Sequence, residues 1–433
     1  MRGNAPAWPS APAATRALWS GVDAAAYPLA TLVMLAGLVR ALSGADYGIL
    51  VLSLAASGLS LAINPAIAAT TTRFVSQAAG TGRSIAGVIS AALLAVAAID
   101  VVLLALTALF RATLARWVFG TATTAGGLAL GDVLWLALLA VAIQQLDAVL
   151  AASIRGLERF ARQALIETLA RAALAAGVMW VAWSTHSVAA VLVVQSLVCA
   201  LWLLVRALAL RALLPDRRLF GRAGAAQIRA LFEYGGWMWL TALAGVLYTT
   251  ADRIILGRWM GPTVAGQYNI YVQLTQLVHF VPSSLFAFAL PVFTRLASQG
   301  EGNAAQIGRS YRSYLRIISL LALLMAGALL LAWPLLLRVF AGGAIQDSQW
   351  MVAGLLTLNF LVLACNVAPY YLLLALGHSR SVSMVTAGGM GAALLLMLVL
   401  IPHFGLAGAA LARLAYGAAA LLLVLLARRA LPR

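Results

Sequence analysis

The sequence predicts an all-α integral membrane protein with about twelve transmembrane helices. Of the 433 residues, 64% are hydrophobic and 9% are charged, whereas charged residues make up roughly 25% of a soluble domain. A soluble fold of this size has too few polar groups to cover so much apolar surface. The apolar stretches lack the alternation of apolar and polar residues that is typical of membrane β-strands. We therefore expect helices, which satisfy their own backbone hydrogen bonds in lipid.

The predicted spans are apolar stretches separated by polar breaks or by breaks that contain glycine and proline. Their expected ranges are 18–41, 47–70, 85–110, 132–154, 163–183, 187–210, 233–257, 265–292, 312–337, 350–375, 381–401 and 405–427.

The arginines predict the orientation of these spans. The net charge of +17 could indicate a nucleic-acid partner, but in so hydrophobic a chain the positive-inside rule accounts for it. With a cytoplasmic N-terminus, most connecting arginines lie on the cytoplasmic side. Those at the outer ends are Arg40, Arg111, Arg116, Arg258 and Arg338. We therefore expect a multi-pass membrane protein with both termini in the cytoplasm.

Three pairs of segments indicate an internal duplication. TTRFVSQ (71–77) matches FTRLASQ (293–299) at an offset of 222 positions, and Gly156 matches Gly377 at an offset of 221. The third pair is LVRALSGADYG (38–48) and LGRWMGPTVAGQYN (256–269), in which an arginine, a glycine-containing turn and a tyrosine precede the next span. Matches in the same order at nearly one offset are typical of a repeat.

The duplication predicts two six-helix bundles. We place the N-terminal bundle at 1–212, a cytoplasmic linker at 213–232 and the C-terminal bundle at 233–433. An even number of spans in each half makes both halves enter the membrane in the same direction, so a pseudo-twofold axis along the membrane normal is expected. Two such bundles leave a cleft for a carried substrate.

Several segments resemble a known transporter superfamily. They are DRIILGRWMG (252–261), AGQYNIYVQL (265–274), ALSGADYGILVLSL (41–54) and LALGHSR (374–380). These segments are similar to the multidrug/oligosaccharidyl-lipid/polysaccharide exporter superfamily, and within it to the Wzx-type flippases of polysaccharide biosynthesis. The resemblance covers essentially the whole chain, and it describes architecture more than chemistry.

The resemblance implies a MATE-like fold and a function. Such proteins move undecaprenyl-diphosphate-linked oligosaccharides from the cytoplasmic to the outer leaflet of the bacterial inner (plasma) membrane by alternating access, for O-antigen, capsule or exopolysaccharide assembly. It also implies a cationic cavity and coupling to a proton or sodium gradient. We expect no catalytic activity, metal or other cofactor. The expected partners are the lipid-linked oligosaccharide, bilayer lipids and glycan polymerase or assembly proteins, with no nucleic acid.

Charged residues within spans are functional candidates because burying charge in lipid is costly. Arg171, Arg253 and Arg413 are predicted to line the cavity, where a guanidinium can make paired bonds to a diphosphate. Arg171 lies four residues after Glu167, so a structural ion pair is the alternative for it. Arg413 has no acid three or four residues away and needs a partner from another helix, water or a ligand.

Two further groups complete the candidates. Arg40 and Arg258 are predicted at the outer mouth of the cavity, and Arg73 and Arg295 at the cytoplasmic mouth. Ordinary interfacial anchoring is the alternative for all four. The candidates for ion coupling are Asp23, Asp100 and Asp252.

Competing functions remain open at the sequence level. A drug, metabolite or cation antiporter of the same fold needs acidic or apolar cavity walls, and the arginines favour the flippase instead. A lipid II flippase is a third option, although such proteins usually have fourteen spans. A membrane enzyme such as a polymerase or ligase usually needs a sizeable outer loop, which the predicted spans do not leave. A passive structural subunit would not account for the duplication.

Overall fold

The computed structural model describes residues 30–81, 84–120, 124–125, 128–214, 216–222, 224–286, 289–298, 304–341 and 349–431. Residues 18–29 of the first predicted span, including Asp23, lie outside the described residues.

The described residues are almost entirely helical, which confirms the predicted all-α membrane class. A 3₁₀ turn, Leu59–Ile63, joins α2 to α3, and a hairpin of two-residue strands, β1 Thr124–Ala125 and β2 Leu128–Ala129, precedes α6. The helices are α1 Ala30–Ala41, then α2 Gly44–Gly58, α3 Asn64–Thr81, α4 Ile85–Leu109, α5 Arg111–Phe119, α6 Leu130–Gly156, α7 Phe160–Thr185, α8 Val188–Leu213, α9 Ala225–Met260, α10 Pro262–Thr275, α11 Leu277–Leu285, α12 Ala289–Ser298, α13 Ala304–Leu331, α14 Trp333–Ala341, α15 Trp350–Cys365, α16 Val367–Ala375 and α17 Ser379–Ala430.

The helix lengths fit membrane spans. Within the described residues, eight helical stretches are long and apolar enough to cross a bilayer. One of them, α17, contains the last two predicted spans, which are separated at Gly405. The φ of Gly405 is 53°, a left-handed conformation that glycine adopts without steric cost. The predicted break between 401 and 405 therefore exists as a sharp kink.

The chain divides into two compact units that do not strictly follow chain order. Among the described residues, one unit consists of residues 30–34 together with Leu52–Val246, and the other consists of Leu35–Val51 together with the residues from Leu247 onward. The segment Leu35–Val51 thus belongs with the C-terminal half of the chain. The bundle limits at 212 and 233 remain a prediction.

One buried helix organises each unit. In the first unit, α6 packs against α3, α4, α5, α7 and α8. In the second, α15 packs against α10, α11, α13 and α17. Small residues allow these close approaches. A Cβ atom on Gly156, for example, would lie 2.8 Å from the carbonyl oxygen of Thr72.

The helix bounds confirm the predicted internal duplication. The nine-residue helices α5 and α14 begin at Arg111 and Trp333, 222 positions apart. The central helices α6 and α15 are likewise separated by nearly the same interval, since they begin at Leu130 and Trp350. The motif offset seen in the sequence is therefore the offset between equivalent helices.

The glycines of the repeated tyrosine segments produce a close backbone contact within the second unit. A Cβ atom on Gly48 would lie 1.9 Å from the carbonyl oxygen of Pro262. Beside it, the Asn269 side-chain amide donates a hydrogen bond to the hydroxyl of Tyr47 at 2.8 Å. The start of α2 is therefore held against the start of α10 by a contact that only glycine permits.

Replacing Gly48 with alanine tests this contact. We expect Gly48→Ala to lower the thermal unfolding midpoint of the detergent-solubilised protein, because overpacking costs about 1–3 kcal/mol. Gly44→Ala is the matched control, since a Cβ there would meet only Thr263 Cγ2 at 3.5 Å, an ordinary contact. Equal midpoints for both variants would contradict the close approach.

Candidate functional site: an arginine-lined cavity in the first unit

A polar cavity of about 420 Å³ lies among α6, α7 and α8 of the first unit. Its charged lining consists of three arginines and two carboxylates. The lining residues are Asn64 of α3; Gln144, Asp147, Ala148, Ala151 and Arg155 of α6; Glu167, Ala170, Arg171 and Leu174 of α7; and Val198, Cys199, Trp202 and Arg206 of α8.

The helical repeat explains how α6 forms one wall of this cavity. Its lining positions run at intervals of three, four, seven and eleven residues from Gln144, which places them on one face of a helix. Ala148 and Ala151 lie in the middle of this face, where their small side chains leave space. Charged and polar residues above and below them then border the opening.

The cavity reaches from the end of α6 towards the middle of the membrane. Arg155 lies one residue before the end of α6 at Gly156, the end predicted to be cytoplasmic. Gln144 lies twelve residues before Gly156, which corresponds to roughly 18 Å at 1.5 Å per residue. The cavity lining therefore extends from that end of α6 to about the middle of the helix.

Arg206 is the buried anchor of the cavity. Only 1% of its surface is exposed, and its Nε lies 2.8 Å from Oδ1 of Asp147. Its two terminal nitrogens bond to Oε2 of Glu167 at 3.0 Å and to Oε1 of Gln163 at 2.8 Å. The guanidinium on α8 is thereby bonded to side chains of α6 and α7. The attraction between these opposite charges offsets part of the free-energy cost of burying them.

Arg171 lines this cavity of the first unit and is more accessible than Arg206, while its predicted place in a cleft between two bundles remains a prediction. It forms the expected ion pair with Glu167 one helical turn earlier, and 29% of its side chain is exposed. Glu167 thus holds Arg206 on one side and Arg171 on the other. The pair does not remove Arg171 from the cavity, so the structural and functional interpretations are compatible.

Arg206 is not among the predicted cavity residues, because its place near the end of the predicted span 187–210 groups it with the arginines of the cytoplasmic side. The available signal was its position seven residues before the end of α8, inside an apolar helix. Asp147 and Glu167 lie within the two preceding helices. Three charges on consecutive antiparallel spans would have indicated a buried network.

Arg413 and Asp252 form a buried ion pair in the second unit. Arg413 Nε lies 2.7 Å from Asp252 Oδ2, and the two side chains are 2% and 0% exposed. The guanidinium carbon also lies 5.0 Å from the ring centre of Tyr248 and 5.9 Å from that of Phe360, within the range of cation–π contacts. The partner that Arg413 required therefore comes from another helix, α9.

This pairing changes how two candidates are interpreted. In this conformation the Arg413 guanidinium is enclosed by protein and does not line the described cavity. Asp252, a candidate for ion coupling, is neutralised by that guanidinium. Direct roles for these residues in ligand binding or ion coupling remain predictions.

The other candidates are dispersed. Arg253 is partly buried and donates to the Thr249 carbonyl at 2.7 Å. Arg40 is exposed and donates to the Val339 carbonyl. Their predicted roles, and those of the exposed residues at the predicted mouths, remain predictions. These exposed mouth residues are Arg258, Arg73 and Arg295.

The chain matches one protein family and a named relative in sequence. A family described as "Polysaccharide biosynthesis protein" matches residues 38–350. A Shigella flexneri protein named "Putative O-antigen transporter" is 24% identical over 183 residues, which is 42% of this chain and 43% of that protein. The chain thus matches less than half the length of this relative.

Solved structures of membrane transporters share the fold. The lipid II flippase MurJ in an inward closed conformation has a TM-score of 0.73 at 14% identity, covering 95% of this chain and 87% of that one. An inward-facing multidrug resistance MATE transporter of the MOP superfamily has a TM-score of 0.69 at 13% identity, covering 94% and 97%. The MATE-like fold predicted from the sequence is confirmed.

The buried pair of the second unit can be tested by a double-mutant cycle. Arg413→Met should lower the free energy of unfolding by about 3–5 kcal/mol, because it leaves the Asp252 carboxylate buried without a partner. Combining it with Asp252→Asn should recover much of this loss. Unfolding of the purified protein in detergent provides the measurement.

The exposed Arg258 offers the matched control for this cycle. Arg258→Met should change the stability of the protein little, because surface charges contribute about 0–1 kcal/mol. If the double variant is no more stable than Arg413→Met alone, the two side chains are not energetically coupled.

Proposed function

This chain belongs to the polysaccharide biosynthesis protein family, and we propose on that premise that it is a flippase for a lipid-linked oligosaccharide. The substrate is an oligosaccharide on undecaprenyl diphosphate, which moves from the cytoplasmic to the outer leaflet of the bacterial plasma membrane by alternating access. The observation that carries the proposal is the cavity of the first unit, in which arginines outnumber carboxylates.

The arginines of this cavity suit a diphosphate. A guanidinium is planar and permanently charged, and it can make two charge-assisted hydrogen bonds to neighbouring oxygens. Arg171 is partly accessible, with 29% of its side chain exposed, while Arg206 is fully engaged with protein. Arg206 therefore acts as the support that positions Glu167, and Glu167 in turn orients Arg171 towards the ligand.

The place of the cavity also fits this substrate. It begins at the α6 end that the arginine distribution predicts to be cytoplasmic, the side on which lipid-linked precursors are assembled. Asn64 and Gln144 line it with side-chain amides, and such groups donate and accept hydrogen bonds with sugar hydroxyls. The flipped product would then pass to the proteins that polymerise the glycan.

A drug, metabolite or cation antiporter is the second candidate, because two carboxylates also line the cavity. Asp147 and Glu167 are the groups that would attract a cation. Arg206 lies 2.8 Å from Asp147 and 3.0 Å from Glu167, so their charge is largely neutralised within the protein. With three arginines against these two carboxylates, the lining keeps an excess of positive charge, which favours an anionic cargo. A lipid II flippase shares the diphosphate chemistry and differs in the attached sugar.

Deletion of the gene tests the cargo. Lipid-linked oligosaccharides should accumulate on the cytoplasmic leaflet of the deletion strain, and the full-length protein should restore export. Lipid extraction followed by mass spectrometry, with a leaflet-specific enzyme probe, provides the measurement. An unchanged glycan together with a new drug sensitivity would favour the antiporter, and accumulation of a peptide-bearing lipid precursor would favour lipid II.

A substitution in the cavity tests the site. Arg171→Gln should lower the export rate about ten- to hundredfold, because a hydrogen bond to a charged group contributes about 1.5–3 kcal/mol. Arg111→Gln is the matched control, since Arg111 forms a surface ion pair with Asp132 away from the cavity. Equal export by the two variants, at equal protein levels, would exclude Arg171 from headgroup binding.

A further inference from the structure

We propose that a second pocket, formed by the second unit alone, binds neutral sugar units of the transported glycan on the outer side of the membrane. The proposal rests on the transport function proposed above, and it adds a separate binding site for the same cargo. This tryptophan pocket has a volume of about 700 Å³, and its lining consists of Trp259 and Met260 of α9, residues 349–352 and residues 401–407. Its volume lies within the roughly 300–1,000 Å³ of ordinary ligand sites.

The tryptophan pocket lies where three connections of the second unit meet. Helix α9 ends at Met260, α15 begins at Trp350, and α17 is kinked at Gly405. The predicted spans place all three connections on one side of the membrane, the side that has few arginines and is therefore predicted to be outer. The pocket brings the three connections together, which agrees with their assignment to one side.

The kink of α17 packs against the end of α9 to form the base of the pocket. A Cβ atom on Gly405 would lie 2.9 Å from Cε of Met260, so this contact depends on the absence of a side chain at the kink. Three further lining residues are buried, since Val352, Ile401 and Leu406 are 2%, 1% and 8% exposed. The pocket therefore has a closely packed apolar base.

Three large aromatic side chains line the pocket and remain accessible. Trp259, Trp350 and Phe404 are 49%, 48% and 59% exposed. A single tryptophan at the membrane interface anchors a helix to lipid. Here two tryptophans from separate helices line one concave site, an arrangement that lipid anchoring does not require.

The chemistry of this lining suits a pyranose ring. The faces of such a ring carry C–H groups that pack on aromatic side chains, whereas its hydroxyls need hydrogen-bonding partners. Gln349 and His403 also line the pocket and are exposed. Their amide and imidazole groups can form hydrogen bonds with sugar hydroxyls. Stacking surfaces and polar groups are thus present in the same site.

The charge of the lining distinguishes a neutral sugar from other ligands. Among the described lining residues there is no arginine, aspartate or glutamate, and Arg258 lies next to Trp259 in sequence without lining the pocket. A phospholipid phosphate favours a cationic partner. A cationic ligand on aromatic rings is held more firmly when a carboxylate is near. The neutral lining therefore favours sugar units over both.

The backbone of Gln349 supports a role for its side chain. Its φ and ψ are 36° and 53°, a left-handed conformation that is uncommon for residues other than glycine. Glycine would adopt this conformation at lower cost, and strained backbone residues are concentrated at ligand-binding sites. The long amide side chain at this position is therefore explained by what it binds and not by the turn.

Saturation-transfer NMR on the purified full-length protein in detergent tests the site. The probe is a mixture of neutral oligosaccharides obtained by partial hydrolysis of the surface polysaccharide of the bacterium that carries the gene. We expect saturation of the sugar C–H protons by the wild type. In Trp350→Ala the Kd should rise about tenfold, because a stacking surface is lost, whereas Trp350→Phe should retain most of the binding.

Trp183→Ala is the matched control, since Trp183 is 55% exposed near the end of α7 and does not line the pocket. Absence of binding by the wild type, or equal binding by Trp350→Ala and Trp183→Ala, would overturn the proposal. Native mass spectrometry identifies the competing occupant. A phospholipid that remains bound to the wild type and is lost from Trp350→Ala would show a lipid site instead and would also overturn it.

Export assays in cells test the role of the pocket in transport. The double variant Trp259→Ala/Trp350→Ala should lower glycan export about tenfold at equal protein levels and with an unchanged thermal unfolding midpoint. Trp259→Phe/Trp350→Phe should restore most of the export, because the ring surfaces return. Wild-type export by the double alanine variant would refute a role in transport.

A separate result tells this failure from a failure of the proposed function. If the deletion strain accumulates no lipid-linked oligosaccharide, the cargo assignment fails whatever the NMR experiment shows. If it accumulates that lipid but the double alanine variant binds and exports the glycan normally, the flippase stands and only the tryptophan pocket is lost.

Discussion

The structure depends on how charge is held inside an apolar environment. A guanidinium or carboxylate buried without a partner costs several kcal/mol, so each buried charge must find an opposite charge or become neutral. Arg206 meets Asp147 and Glu167, Arg413 meets Asp252, and Asp100 meets the amide of Gln145. These pairings determine which charged residues remain accessible to a ligand.

The two units share a helix order but differ in their charge networks. Equivalent helices recur at an interval of about 220 residues, and the central helices α6 and α15 occupy equivalent places in the repeat. In the first unit the buried arginine lies beside an open polar cavity. In the second unit Arg413 is sealed against Asp252 and two aromatic rings. The helix order is thus repeated, while the charged residues differ between the two units.

In the first unit, α6 presents different polar residues to its two sides. Gln144 and Asp147 lie on its cavity face, while Gln145, between them in sequence, donates a hydrogen bond to Asp100. Residues one position apart on a helix face in different directions. The polar residues of this helix are therefore divided between the cavity and the interior of the unit.

The sequence by itself determined the all-α membrane fold class, and it predicted the repeat interval and the alternative of an ion pair between Arg171 and Glu167, because these depend on hydrophobic length, spacing and neighbours along one helix. Only the tertiary structure decided that Arg206 anchors the cavity and that Arg413 forms a buried ion pair with Asp252. Their partners lie 39 to 161 positions away, and the periodicity of one helix carries no information about which face of another helix it meets. The sequence therefore predicted which charges are unusual, and packing decided which of them a ligand can reach.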